Sequence, residues 1–284
     1  MDYPKDECSQ KQKFLYSNLH KSFVKRLFLR ICISKTVTFL CSIYLRTFLS
    51  KIHIKKLVRK NSIDLKLFKK QKFSSYNDFF IRQYKDISFC KESSVFISPA
   101  EGRIMILYIQ KNSIYSIKGV NYHLKDLLKD DKLASMFTGG YLLIIRLTPL
   151  NYHRYIFVDD GIQKKDTAVK IKGKFHIVNP IAFKYFNVLH ENSREYNILE
   201  TKNFGQIVQI EVGALLVGKI NNHPINNFHK AQEKGFFSFG GSTIVLLIQK
   251  NKVIFDKVFL ENSFKNIETE INLGERLGSK IYLN

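Results

Sequence analysis

Between residues 23 and 58 apolar positions recur at helical spacing: Leu27, Phe28, Ile31, Val37, Leu40, Tyr44, Leu45, Phe48 and Leu49 outline one broad face. Lys25, Arg26, Arg30, Lys35, Arg46 and Lys51 interrupt it, and the longest uncharged run lies between Lys35 and Arg46. A bilayer span needs roughly 20 apolar residues, so the pattern predicts basic amphipathic helix rather than one clean span. Such a helix lies in a membrane interface or packs on a protein core with its basic face in water. From residue 95 the period changes. Short β-branched and aromatic runs at 103–109, Tyr141–Leu147, 169–177, 206–217 and Ser242–Ile248 are separated by Asp159-Asp160-Gly161, Asn203-Phe204-Gly205 and Lys250-Asn251-Lys252. These read as strands and turns, with helix expected only over 120–133. The fold class expected is α+β: a helical, basic N-terminal region (1–72), then a compact, mostly antiparallel β domain (73–284).

The 284 residues carry 46 Lys+Arg against 24 Asp+Glu, a formal net charge of +22. A balance that basic implies an anionic partner, either nucleic acid or an acidic lipid surface. No zinc, helix-turn-helix or RNA-recognition signature accompanies it, so nucleic acid is the weaker expectation. The four cysteines, Cys8, Cys32, Cys41 and Cys90, form no CxxC pair and no metal-ligand spacing. A reducing compartment and no metal are expected. Residues 1–13 are polar, with no secretory h-region.

The clearest chemical feature is Gly235-Phe-Phe-Ser-Phe-Gly-Gly-Ser-Thr243 ahead of the apolar run Ile244-Val-Leu-Leu-Ile248. Paired glycines reach backbone angles closed to other residues and leave the Gly241 carbonyl open to the hydroxyl of Ser242. Attack there converts the amide to an ester that β-elimination can break; equally, Gly-Gly can be a plain turn before a core strand. His153 and Arg154, in Tyr152-His-Arg-Tyr155, pair a proton donor with a partner for phosphate or carboxylate. Glu101 stands on a turn where a carboxylate can orient an imidazole, and His176 is another candidate base. Each also reads as an ordinary structural or solvated residue.

Taken in order, further motifs accompany these. They are Tyr76-Asn-Asp-Phe-Phe-Ile-Arg82, Ser98-Pro-Ala-Glu-Gly102, Tyr152-His-Arg-Tyr155, Val178-Asn-Pro-Ile-Ala182, Asn192-Ser-Arg-Glu-Tyr196, Val212-Gly-Ala-Leu-Leu-Val-Gly218 and Gly274-Glu-Arg-Leu-Gly278. With the Gly-Gly-Ser-Thr motif they resemble the phosphatidylserine decarboxylase proenzymes, over roughly residues 73 to 280. The resemblance implies self-cleavage at Gly241–Ser242 into a β chain (1–241) and an α chain (242–284), held together as a heterodimer. Ser242 then becomes a pyruvoyl group, the covalent cofactor, whose ketone serves as electron sink while phosphatidylserine loses carbon dioxide. His153 matches the histidine that assists decarboxylation. Arg154 is expected to bind substrate.

Two residues depart from the family pattern. Glu101 stands where an aspartate is usual, and Ile156 where a second histidine completes the relay that activates the serine. The alternative is therefore a membrane-binding homologue that processes slowly or not at all, with His176 as the candidate substitute base. The resemblance further implies phosphatidylserine as substrate. The basic amphipathic N-terminal segment is expected to hold the protein peripherally at the cytoplasmic face of an anionic membrane, and a homo-oligomer is left open.

Overall fold

The helical period of the N-terminal stretch breaks where polar residues cap it. The computed structural model describes residues 23–117, 120–163, 168–176, 187–214, 219–238 and 242–282. Expectations resting on residues 1–22, on Val178-Asn-Pro-Ile-Ala182 and on Gly241 lie outside them. Helix α1 (Phe23–Cys32) ends before Ser34, whose hydroxyl accepts the Val37 N–H and starts α2 (Lys35–Arg46). A 3₁₀ turn at Phe48–Lys51 leads into α3 (Ile52–Lys60). Leu29 and Ile33 are buried in the main core, and Ile54 packs with Phe73 and Phe79. The opposite face stays in the open: Phe23, Val24, Phe39, Leu40, Phe48 and Ile52 are each 59–73% exposed. No single helix among the described residues is long and apolar enough to cross a membrane. Helix α4 (Tyr76–Phe80) is capped by Ser75 and anchored by the Tyr76 N–H donating to Ser50 Oγ at 2.8 Å.

Strands β1 (Val95–Ile97), β2 (Gly102–Tyr108), β3 (Ile114–Ile117) and β4 (Val120–His123) precede two short helices, α5 (Leu124–Leu128) and α6 (Asp131–Ser135). Then come β5 (Tyr141–Leu147), β6 (Arg154–Ile156), β7 (Gly161–Gln163), β8 (Val169–Ile171), α7 (Val188–Glu191), β9 (Arg194–Thr201) and β10 (Gly205–Gly213). The last stretch holds β11 (Lys219–Asn222), β12 (Asn227–Phe228), β13 (Glu233–Ser238), β14 (Ser242–Ile248), β15 (Val253–Phe255), α8 (Lys257–Phe264), β16 (Thr269–Ile271) and β17 (Arg276–Lys280).

A nine-stranded antiparallel sheet, in the order β12-β7-β9-β10-β14-β5-β2-β16 with β8 also on β9, forms the centre. Strand β14 lies in its middle, paired over its full length with β10 and β5, and is buried on both faces. That explains a continuous apolar run where an alternating one would mark a half-exposed strand. Ile244, Leu246 and Ile248 join the core that also contains Tyr155, Ile156 and Phe237, below a small sheet of β11, β13 and β6. Val245 and Leu247 face a second core covered by the β3–β4 hairpin and α5–α7. Segment 120–133 is thus not one helix. Lys129, at φ 57°, stops α5, and Asp130 caps α6. The strand expected over 169–177 ends at Ile171.

The two sheets are riveted by a buried ion pair. Lys234 Nζ donates to Glu211 at 2.9 Å, Asn197 at 3.0 Å and Asn222 at 2.9 Å, with no exposure of either charged side chain. Burial pushes the Glu211 carboxyl up, against the pull of Lys234. Lys234 sits on β13, so this network fixes the strand that leads to Ser242.

Candidate active site

The pairing register brings the chemical residues to one end of the central sheet. Ser242, the first residue of β14, lies between Gly213 of β10 and Leu147 of β5. Next in line, Gly102 opens β2, and a Cβ there would meet the Arg146 carbonyl oxygen at 2.5 Å. The close approach requires glycine, and it sets the neighbouring Glu101 at the same sheet end.

Two connections cross here from the central sheet to the small one. Residues 148–153 join β5 to β6, and residues 239–241 join β13 to β14. Their ends are tied twice: Leu147 pairs with Ser242, and the Phe237 N–H donates to the His153 carbonyl at 3.0 Å. His153 and Ser242 are therefore corners of one closed circuit. Ser242 is fully buried, and its Oγ has no hydrogen-bond partner among the described residues. Burying an unsatisfied hydroxyl costs roughly 1–3 kcal/mol, and such groups concentrate where chemistry needs them.

His153 is fully buried, with its ring 3.8 Å from that of Phe80. Nδ1 lies 2.9 Å from the Asn151 carbonyl oxygen. A carbonyl only accepts, so Nδ1 carries the proton and Nε2 is the basic nitrogen of the neutral ring. Asn151 is itself held: its Oδ1 accepts from the Thr148 N–H and hydroxyl at 2.8 Å each, and its Nδ2 donates to Glu101 Oε1 at 2.9 Å. Tyr84 donates to Glu101 Oε2 at 2.9 Å, and burial, with Glu101 beside it, pushes that phenol well up. Buried Arg82 donates to the carbonyls of Leu150 and Asn151 at 2.7 and 3.1 Å. Glu101 thus reaches the imidazole through Asn151.

Sequence reading missed Asn151, Tyr84 and Arg82. A Thr-Pro-Leu-Asn turn immediately before Tyr152-His153 was the one local signal for Asn151.

The remaining candidates stand apart. Arg154, read as an anion partner, gives its guanidinium to Glu233 at 2.7 Å and to the Ile81 and Arg82 carbonyls. It acts as a strut between α4 and β13. Ile156 is buried in the core, and its N–H donates to the Pro99 carbonyl at 2.9 Å. Position 156 therefore adjoins the turn that carries Glu101. His176 is bound through its backbone to the Asn192 side chain, whose Nδ2 also donates to the Gly213 carbonyl at 2.8 Å. Its ring is 3.5 Å from Glu191, yet burial outweighs that charge and pulls its pKa down to about 4. An imidazole held neutral so firmly is a poor receiver of a serine proton.

The family profile for phosphatidylserine decarboxylase matches residues 76–279. A Clostridium acetobutylicum protein named phosphatidylserine decarboxylase proenzyme 2 is 40% identical over 97% of this chain and 94% of its own. The phosphatidylserine decarboxylase proenzyme of Clostridium novyi is 37% identical over 94% of this chain and 88% of its own. That of Clostridium tetani is 41% identical over 82% and 80%. By the span of that match and the level of identity, the chain belongs to the phosphatidylserine decarboxylase family.

Proposed function

We propose that this chain is a proenzyme that cuts its own backbone before Ser242 and then decarboxylates phosphatidylserine to phosphatidylethanolamine. The observation that carries the reading is the orphaned, buried Ser242 Oγ at the sheet end shared with His153 and Glu101. In the cut, Ser242 Oγ loses its proton and bonds to the Gly241 carbonyl carbon as the C–N bond breaks and the amine takes a proton. The ester then loses a Cα proton and eliminates the Gly241 carboxylate. Water hydrolyses the imine tautomer of the resulting dehydroalanine, releasing ammonia and leaving the ketone. A buried polar position at residue 242 fits a pyruvoyl group, which supplies a ketone able to accept the electron pair that carbon dioxide leaves behind. His153, with Nδ1 fixed to Asn151, offers Nε2 for proton transfer at that position. Glu101 and Arg82 hold Asn151, and so the ring. Intact-mass analysis of purified protein tests the reading: two chains are expected, the smaller starting at position 242 with a blocked terminus. One uncut chain in an active preparation would refute it.

The slow-processing alternative has its own observation, the apolar Ile156 beside the Glu101 turn. We expect Ile156→His to speed maturation, most of all with Glu101→Asp, because it would supply an imidazole beside the turn that carries the carboxylate. Pulse-chase measurement of the uncut chain checks this. Equal rates for wild type and the double variant would mean that the present relay already suffices.

The exposed apolar face of α1–α3 is rimmed by Arg30, Arg46, Lys51, Lys55, Lys56 and Arg59. This supports attachment to an anionic membrane surface, each cation near the headgroups contributing ~1 kcal/mol. Deleting residues 1–60 should move the protein into the soluble fraction, while salt should loosen the intact protein only in part. A deleted form that sediments wholly with membranes would place the anchor elsewhere.

A further inference from the structure

A cavity that includes Gly213, the β10 partner of Ser242, is ringed by cations. It has a volume of about 210 Å³ and is lined by Lys170, Lys172, Phe175, Glu195, Gly213 and Lys219, among others. Two of its wall residues are fixed by strand register to the two ends of the 239–241 connection. Gly213 pairs with Ser242, and Lys219 pairs with Ser238. The cavity is thus walled by the strand neighbours of Ser242 and Ser238.

Its charges are unevenly committed. Glu195, the one acid in the wall, is met by Lys170 at 3.6 Å and by Asn222 at 3.0 Å. The Arg194 guanidinium is spent on the carbonyls of Leu127, His190, Asn192 and Asp126. The ammonium groups of Lys172 and Lys219 have neither ion pair nor hydrogen bond among the described residues, and both residues are exposed at the mouth. Two uncommitted ammonium groups at one small cavity attract an anion of matching size. Drug-sized ligands occupy about 300–1,000 Å³, so this space suits a headgroup rather than a whole lipid.

We propose that Lys172 and Lys219 bind the phosphodiester of the substrate headgroup, an assignment that rests on the proposed decarboxylase reading. A lysine on the departing carboxylate would stabilise the ground state more than the transition state, in which that charge is leaving, and would slow the reaction. The phosphodiester keeps its charge throughout. Cations on it contribute binding that is equal in both states, which lowers KM and leaves kcat alone.

The test uses mature protein carrying Lys172→Gln and Lys219→Gln, with cleavage verified by intact mass. With a water-soluble short-chain phosphatidylserine, KM should rise about tenfold and kcat stay within about twofold, as expected for two partly exposed charge contacts. Titration calorimetry with glycerophosphoethanolamine, which lacks the carboxylate, should show the same weakening, and the double Lys→Arg variant should restore both. An unchanged KM and an unchanged calorimetric affinity would overturn the assignment. So would an effect confined to anionic vesicles, which would make these lysines part of the membrane-docking surface. Should the double variant not mature, the two single variants decide, each with a smaller rise expected and an unchanged KM in both counting against the site. Failure of the decarboxylase reading looks different: wild type itself would release no carbon dioxide.

Discussion

Ser242→Ala protein should accumulate as one uncut 284-residue chain and release no carbon dioxide from phosphatidylserine. Alanine has no oxygen to bond to the Gly241 carbonyl, so neither the ester nor anything that follows from it can form. The fold should survive the change. The side chain is buried in an apolar layer beside Leu147, and among the described residues its Oγ makes no hydrogen bond that alanine would forfeit. Removing an unsatisfied buried hydroxyl is neutral or mildly stabilising, so thermal unfolding should occur at or above the wild-type temperature. Denaturing gels and intact mass report the cut, and release of labelled carbon dioxide reports the activity. A Ser242→Ala protein that still splits between 241 and 242 would dismiss Ser242 as the nucleophile.

The same register predicts how the wild-type fragments behave. The smaller chain would begin with β14, seven residues clasped by β10 on one side and β5 on the other. It would also carry β16 at the sheet edge against β2, and β17 between β1 and β15. Cutting the 239–241 connection leaves all these pairings in place. The two chains should co-purify under native conditions and separate only in denaturant.

How much of this was legible in the sequence depended on the distance over which each feature is decided. Tyr141–Leu147 and Ser242–Ile248 were readable to the residue, because a central strand buried on both faces is apolar throughout. Segment 120–133 misled because Leu124, Leu127, Leu128 and Leu133 keep a helical period across Lys129, whose left-handed backbone breaks the helix. Helix α8 escaped notice, since eight residues with Phe264 almost wholly exposed show little amphipathic contrast. Glu101, His153 and Ser242 were singled out as candidates through motifs, whereas the bridge between Glu101 and His153 was not. The link from Glu101 to His153 runs through an asparagine that becomes a bridge only when β2 and the 148–153 connection meet in space. The ion pair of Arg154 was out of reach for the same reason: Glu233, its partner, lies far along the chain.

His153→Ala should lower decarboxylation by about 10²-fold or more, the usual scale for a lost general acid or base. What it does to maturation discriminates between two roles. If His153 serves only the second reaction, the variant will be fully cut, with the blocked small chain present and turnover poor. If it also receives the Ser242 proton, uncut chain will build up during pulse-chase. We expect some contribution to both, since Ile156 can accept no proton and burial pulls the His176 pKa down to about 4. Asn151→Ala separates chemistry from simple packing. It removes the Nδ2 bond to Glu101 while leaving the carbonyl that fixes the imidazole tautomer. The ring should then keep its Nδ1 proton but lose the support of its acceptor, giving a smaller fall in kcat and a shifted pH profile at nearly unchanged KM. A purely structural role would instead lower thermal stability without moving the pH profile. An Asn151→Ala enzyme with wild-type kcat and pH dependence would show that Glu101 does not act through this bridge.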